Sequence, residues 1–173
     1  LYPIQILWIN LVTDSFPALA LGVDPPESGV MNRRPRAPEE GIFAPGVRGA
    51  LAAFGVFIAL ITLLAFSIGR RESVLKGQTM AFLTLSLCQL VHVFNFRSLH
   101  ESLFKRGLLG NKPLLAAILA AGFLQAAVMF TPFLREVFRV VELAAADWSV
   151  ILGLVLSPFL FGELWKKIGL RRG

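Results

Sequence analysis

The segment Asn10-Leu11-Val12-Thr13-Asp14-Ser15-Phe16-Pro17 lies inside an otherwise apolar run that extends from Ile4 to Val23. A helix of about 20 such residues is long enough to cross a lipid bilayer. A carboxylate within a membrane span costs about 3 kcal/mol on insertion scales, so Asp14 indicates a functional site rather than ordinary packing. The run therefore predicts a transmembrane helix that carries a chemically active group.

Polar side chains in this helix have the spacing of one helical face. Asn10, Thr13 and Asp14 stand at positions i, i+3 and i+4, so an α-helix directs their oxygens to the same side. Pro17 has no N–H for the carbonyl of Thr13, so we expect regular bonding to be lost between Thr13 and Pro17, with Asp14 turned towards the bundle. Such oxygens are ligands for a hard cation such as Ca²⁺ or Mg²⁺. For Asn10 or Thr13 alone, hydrogen bonding to a neighbouring helix is an equally good interpretation.

The composition of the whole chain is that of a membrane domain. Of its 173 residues, 55% are hydrophobic and 16% charged, whereas soluble domains have about 25% charged residues. The apolar residues form blocks of membrane-spanning length. We therefore predict an all-α fold, a polytopic transmembrane helical bundle of five spans at about 4–23, 47–69, 78–96, 113–134 and 148–165. The more polar stretch 135–147 is interpreted as a short interfacial helix.

The basic residues indicate the orientation of these spans. Loops 24–48 and 97–112 and the tail 166–173 each contain four Lys or Arg, whereas the connections 70–77 and 135–147 contain three and two. The positive-inside rule places the richer set, including the C-terminus, in the cytoplasm. We expect an integral multi-pass protein, with the plasma (inner) membrane as its location. The net charge of +6 is dispersed over segment ends rather than clustered on one face, which favours the bilayer as partner and argues against nucleic acid.

The third predicted span contains a second polar set, formed by Ser86, Gln89, His92 and Asn95. Successive members of an i+3 series are offset by about 60° on an α-helix, so only neighbouring pairs share a face. Gln89 is a candidate neutral ligand for the cation, although an amide is as often an interhelical hydrogen-bond partner. His92 is expected to be a packed, hydrogen-bonded imidazole, with proton relay as the alternative. Cys88 is interpreted as a packing residue.

The first 45 residues resemble a known family. Leu7-Trp8-Ile9-Asn10-Leu11-Val12-Thr13-Asp14 and the following Pro17-Ala18-Leu19-Ala20-Leu21-Gly22-Val23-Asp24-Pro25-Pro26 are similar to the sixth membrane segment of calcium-type P-type ATPases. Met31-Asn32-Arg33-Arg34-Pro35-Arg36 resembles the cytoplasmic loop after that segment. Beyond residue 45 the resemblance lies mainly in the spacing of hydrophobic segments. It implies that residues 1–173 are the C-terminal transmembrane domain of such a pump, segments six to ten.

In that family, the positions that match Asn10, Thr13 and Asp14 bind the transported ion. Sodium/potassium pumps are similar here but have an acidic residue at the position of Asn10, which favours the calcium-type branch. Gln89 stands where pumps that move two calcium ions have a glutamate, so pumps that move one ion resemble this chain better. The metal site implied by the resemblance and the polar patterns consists of Asn10, Thr13, Asp14 and Gln89.

The resemblance implies ATP-driven cation transport, with calcium export as the expected activity. ATP and Mg²⁺ would be used by domains outside these residues, because the family's phosphorylated Asp-Lys-Thr-Gly-Thr motif has no counterpart here. The expected partners are the N-terminal membrane segments and the cytoplasmic phosphorylation domain of the same pump. Two alternatives stay open: a pump for sodium, manganese or magnesium, because oxygen ligands alone are not selective, and a non-transporting membrane scaffold that has kept the motif.

Overall fold

The computed structural model describes residues 1–25, 45–97 and 110–169. Within these residues every regular element is helical, and five helices are long and apolar enough to cross a membrane. The predicted all-α class with five spans is confirmed. The stretch Met31–Arg36, which resembles a cytoplasmic loop of the pumps, lies outside the described residues.

The first span, Pro3–Leu21, is a continuous helix with three parts. It consists of α1 (Pro3–Trp8), a π-helical segment (Ile9–Asp14) and α2 (Ser15–Leu21). The remaining helices are α3 (Pro45–Gly69), α4 (Val74–Phe96), α5 (Lys112–Phe130), α6 (Pro132–Phe138) and α7 (Ala145–Gly169). The second to fifth spans are formed by α3, α4, α5 and α7.

The end of the fourth span differs from the prediction, which placed it at residue 134. Helix α5 ends at Phe130, and Thr131 is extended with φ −95° and ψ 118°. The residue before a proline is disfavoured in the α region, so Pro132 separates α5 from α6. The helix expected within 135–147 therefore begins earlier, at Pro132, and ends at Phe138. The prediction of a continuous span was wrong because Pro132 interrupts the helix instead of only bending it.

Helix α4 is the centre of the bundle and the most deeply buried of the five spans. It packs against α3 and α7, and its side chains Met80, Phe82 and Cys88 are completely buried in the main hydrophobic core. Cys88 is thus the packing residue that was predicted. The other spans carry exposed large apolar side chains such as Leu60 and Phe123, as expected for surfaces in contact with lipid.

Buried charged groups lie at both ends of α4. At its beginning, Lys76 Nζ lies 2.9 Å from Asp147 Oδ2 at the start of α7 and 2.6 Å from Glu72 Oε1. At its other end, Arg97 Nε lies 3.2 Å from Asp24 Oδ1, just beyond α2. These pairs connect α4 to its neighbours on opposite sides of the bundle.

Candidate cation site

The helix that carries Asp14 departs from α-helical bonding over Ile9–Asp14, which forms a π-helical segment. This is one turn earlier than the predicted loss between Thr13 and Pro17. Pro17 is the third residue of α2, a position where an N–H would have no partner within that helix, so the N–H that proline lacks costs α2 no bond. The irregularity is therefore a wider turn before Pro17 rather than a break at it. Such turns within α-helices are frequent at functional sites.

The π-helical turn changes which side chains share a face. The Ser15 hydroxyl donates at 2.7 Å to the carbonyl of Asn10, five residues earlier, a spacing that matches the i→i+5 bonding of a π-helix. Asn10 is exposed, whereas Asp14 is half-buried and Thr13 is only 1% exposed. The prediction that an α-helix places all three oxygens on one face was wrong, because the helix is not α-helical there.

A cavity of about 210 Å³ lies beside Asp14, between the first span and α4. It brings together three of the four predicted site residues: Thr13, Asp14 and Gln89. Asn10 does not line it. The remaining lining residues are mostly apolar: Pro17, Ala18, Leu21, Val93 and Phe96.

The polar groups of this cavity are oxygen donors. Asp14 supplies a carboxylate, and Gln89 supplies an amide oxygen. The Thr13 hydroxyl donates its proton to the Ile9 carbonyl at 2.8 Å, which leaves its oxygen lone pairs as acceptors. Hard cations prefer such oxygens, but Ca²⁺ takes six to eight of them. Within the described residues no group of three or more His, Cys, Asp or Glu side chains could hold a metal ion. The cavity thus has the chemistry of part of a hard-cation site.

The beginning of the first span is fixed by buried polar contacts that sequence analysis missed. Gln5 is fully buried, and its Nε2 donates to the Phe138 carbonyl at 2.9 Å. Trp8 Nε1 donates to Gln125 Oε1 in α5 at 2.8 Å, and the Trp8 ring packs edge-on against Phe138. These contacts connect the residues just before the π-helical segment to α5 and α6. The signal that could have indicated these contacts was the presence of Gln5 and Gln125 within otherwise apolar runs.

Of the rest of the second polar set, Asn95 bonds to α7, and neither it nor His92 lines the cavity. Asn95 Nδ2 donates to the Pro158 carbonyl at 3.0 Å and lies 3.0 Å from His92 Nδ1. An amide nitrogen can only donate, so Nδ1 of His92 is the acceptor in this contact. His92 is the packed, hydrogen-bonded imidazole that was predicted.

The match of the chain to a family is extensive. The family described as "Cation transporting ATPase, C-terminus" matches residues 1–168. The chain belongs to this family. It is 43% identical over 161 residues to a calcium-transporting ATPase of Bacillus subtilis, a comparison that covers 91% of this chain and 18% of the relative. It is also 39% identical over 184 residues to calcium-transporting ATPase 1 of Bacillus cereus, with 96% of this chain and 21% of the relative covered.

Similarity extends to a vertebrate member. The chain is 31% identical over 166 residues to calcium-transporting ATPase type 2C member 1 of Pongo abelii, covering 95% of this chain and 18% of the relative. The resemblance to calcium-type P-type ATPases is therefore confirmed. The chain spans about a fifth of the length of the curated relatives it matches.

Proposed function

We propose that this chain is the C-terminal membrane domain of an ATP-driven calcium pump and supplies part of its intramembrane ion site. The observation that carries the proposal is the cavity in which Asp14 and Thr13 of the first span face Gln89 of α4. The calcium-transporting relatives named above support calcium as the transported ion.

The residues that line the cavity would give the cation one carboxylate ligand and two neutral oxygen ligands. Among the described residues that line the cavity, Asp14 provides the one formal negative charge, which offsets part of the energy needed to remove water from a divalent cation. Thr13 and Gln89 provide neutral oxygens from the buried side. Asn10 lies on the exposed side of the same helix, where an additional membrane segment of the pump could bring it into the ligand set. The remaining ligands would come from N-terminal segments outside this chain, because calcium needs six to eight oxygens.

Energy for transport would come from elsewhere in the pump. ATP and Mg²⁺ would be used by a cytoplasmic phosphorylation domain and its nucleotide-binding partner, which act on the membrane segments. The Lys and Arg distribution supports an orientation with the C-terminus in the cytoplasm.

The proposal is tested by the ATPase activity of the purified full-length pump, titrated separately with calcium, manganese, magnesium and sodium. Each titration keeps the Mg²⁺ needed for ATP constant, apart from the magnesium series. Calcium is expected to activate at the lowest concentration. Activation by manganese or sodium, with none by calcium, would reassign the ion. Absence of activation by every cation would favour the scaffold alternative and overturn the proposal.

A further inference from the structure

A buried polar cluster connects the ends of three spans at the end of the bundle nearest the cation cavity. Asp24 Oδ1 accepts hydrogen bonds from Arg97 Nε at 3.2 Å and from Asn111 Nδ2 at 2.7 Å. Asn111 Nδ2 also donates to the Ala20 carbonyl in the last turn of α2 at 3.1 Å. Asn111 Oδ1 accepts from Leu114 N at 2.8 Å and so caps the start of α5. We call Asp24, Arg97 and Asn111 the Asp24 cluster.

The orientation of the Asn111 amide in this cluster is determined by its partners. Its oxygen faces a backbone N–H, and its nitrogen faces a carbonyl and a carboxylate, so the reverse orientation would oppose donors to donors. The side chains of Arg97 and Asp24 are 2% and 9% exposed. A buried ion pair is weak evidence for stability, because desolvation opposes the attraction, but it permits few alternative geometries. The cluster therefore defines how α2, α4 and α5 meet.

Each of the two helices that form the walls of the cation cavity is followed, just beyond the cavity, by a member of the Asp24 cluster. On the first span, the last cavity-lining residue is Leu21, and Asp24 follows three positions later. On α4, the last cavity-lining residue is Phe96, and Arg97 follows directly. The bond between Asp24 and Arg97 thus joins the two walls immediately beyond the cavity. A shift of either helix along its axis would break it.

We propose that Asp24, Arg97 and Asn111 are positioning residues for the cation site. They hold the end of the first span in register with α4, so that Asp14 and Gln89 stay on facing walls of the same cavity. They do not contact the ion, and they act through the two helices. This inference rests on the proposed function, because it assigns the cluster to the same site.

The structure offers a matched control at the other end of α4. Lys76 and Asp147 form a buried pair whose side chains are both 11% exposed, and this pair joins α4 to α7. Neither residue lines the cation cavity. Loss of this pair should destabilise the bundle without moving the walls of the cavity. The control therefore separates general destabilisation from loss of register.

The test uses the full-length pump with Asp24→Asn, and with Asp147→Asn as the control. The measured quantities are the calcium concentration for half-maximal ATPase activity, the maximal rate and the melting temperature. Asp24→Asn should raise the half-maximal calcium concentration about tenfold, the low end of the loss seen when residues that support metal ligands are removed. Its maximal rate at saturating calcium should be retained. Asp147→Asn should lower the melting temperature and leave the half-maximal concentration unchanged.

A second, milder variant keeps the test informative if Asp24→Asn does not fold. Serine is a good N-cap, so Asn111→Ser should keep the cap on Leu114 N but is too short to bond Asp24 and Ala20 as well. Its half-maximal calcium concentration should rise in the same direction as that of Asp24→Asn. If both variants keep wild-type calcium dependence and differ only in melting temperature, the cluster is structural and the inference is wrong. If the wild-type pump shows no calcium activation, the proposed function fails, and this inference fails with it.

Discussion

The close approach of α3 and α4 at Gly77 makes a sharp stability prediction for Gly77→Ala. A Cβ at position 77 would lie 2.8 Å from the Phe66 carbonyl oxygen and 3.0 Å from Arg70 N. Both are backbone atoms of the neighbouring helix end, so no side-chain rotation can relieve the contact. The facing position is equally tight, because a Cβ at Gly69 would lie 2.9 Å from the Gly77 Cα. An added methyl group must therefore push the two helices apart.

The size of the effect follows from two opposing terms. Alanine is better than glycine in a helix by about 1 kcal/mol. Overpacking of a well-packed interface costs about 1–3 kcal/mol, and a backbone obstruction belongs at the upper end. Gly77→Ala should therefore lower the free energy of unfolding by about 1–2 kcal/mol after the propensity gain. Gly55→Ala in α3 is the matched control, because its Cβ would meet no atom within 4 Å.

The assay is detergent denaturation of the purified full-length pump, compared for wild type and the two variants. Gly55→Ala should be as stable as wild type, or more stable by up to about 1 kcal/mol. Gly77→Ala should unfold at a lower denaturant concentration than both. Equal stability of the two variants would contradict the close helix contact on which the reasoning depends.

Two further predictions concern the charged groups outside the cation cavity. Lys76→Met should lower the melting temperature more than Glu72→Gln does. The first change leaves the Asp147 carboxylate buried without its cation. The second removes only a partner whose side chain is 69% exposed, and such surface ion pairs contribute little. The hydrogen bond and charge of Arg135 lower the pKa of Glu142 in the folded protein. The pair therefore stabilises the fold fully above the usual glutamate pKa of about 4.3. This stabilisation is lost as the pH falls through the lowered pKa that Glu142 has in the folded protein. Glu142→Gln should therefore shift the melting temperature by the same small amount from about pH 6 to 8, and by less near about pH 3.

The span count could be predicted from sequence because it depends on local composition. Apolar blocks of membrane-spanning length have few alternative structures, and the described residues contain the five spans expected. A helix end could be predicted from sequence only where a residue that interrupts helices was taken into account. Pro132 is such a residue, and the end of the fourth span was misplaced because the apolar run was followed past it.

The geometry of the candidate site could be predicted only in part. The carboxylate of Asp14 within an apolar run identified the site helix, and Gln89 was found through the polar pattern of α4 and the resemblance to pumps. The π-helical turn was not predictable, since Ile9–Asp14 contains neither Gly nor Pro. For the contacts of Gln5 and Trp8, the sequence shows polar residues within apolar runs but not which distant helices they bond to.

The Asp24 cluster shows a different limit of sequence analysis. Asp24, Arg97 and Asn111 all lie in stretches that were interpreted as loops, where charged and polar residues are common. Their bonds join positions 73 and 87 residues apart. Only the packing of α2, α4 and α5 brings them together in a buried setting.

Equilibrium binding of radioactive calcium to the purified full-length pump tests the central claim most directly. The comparison includes wild type, Asp14→Asn, Gln89→Ala and Asp147→Asn, with binding expressed per folded molecule. Asp14→Asn removes the one formal charge of the cavity and should abolish measurable binding, whereas Gln89→Ala removes one neutral oxygen and should weaken it only mildly. Asp147→Asn should bind as wild type does. Wild-type binding by Asp14→Asn, or equal loss from Asp14→Asn and Gln89→Ala, would contradict an ion site centred on Asp14.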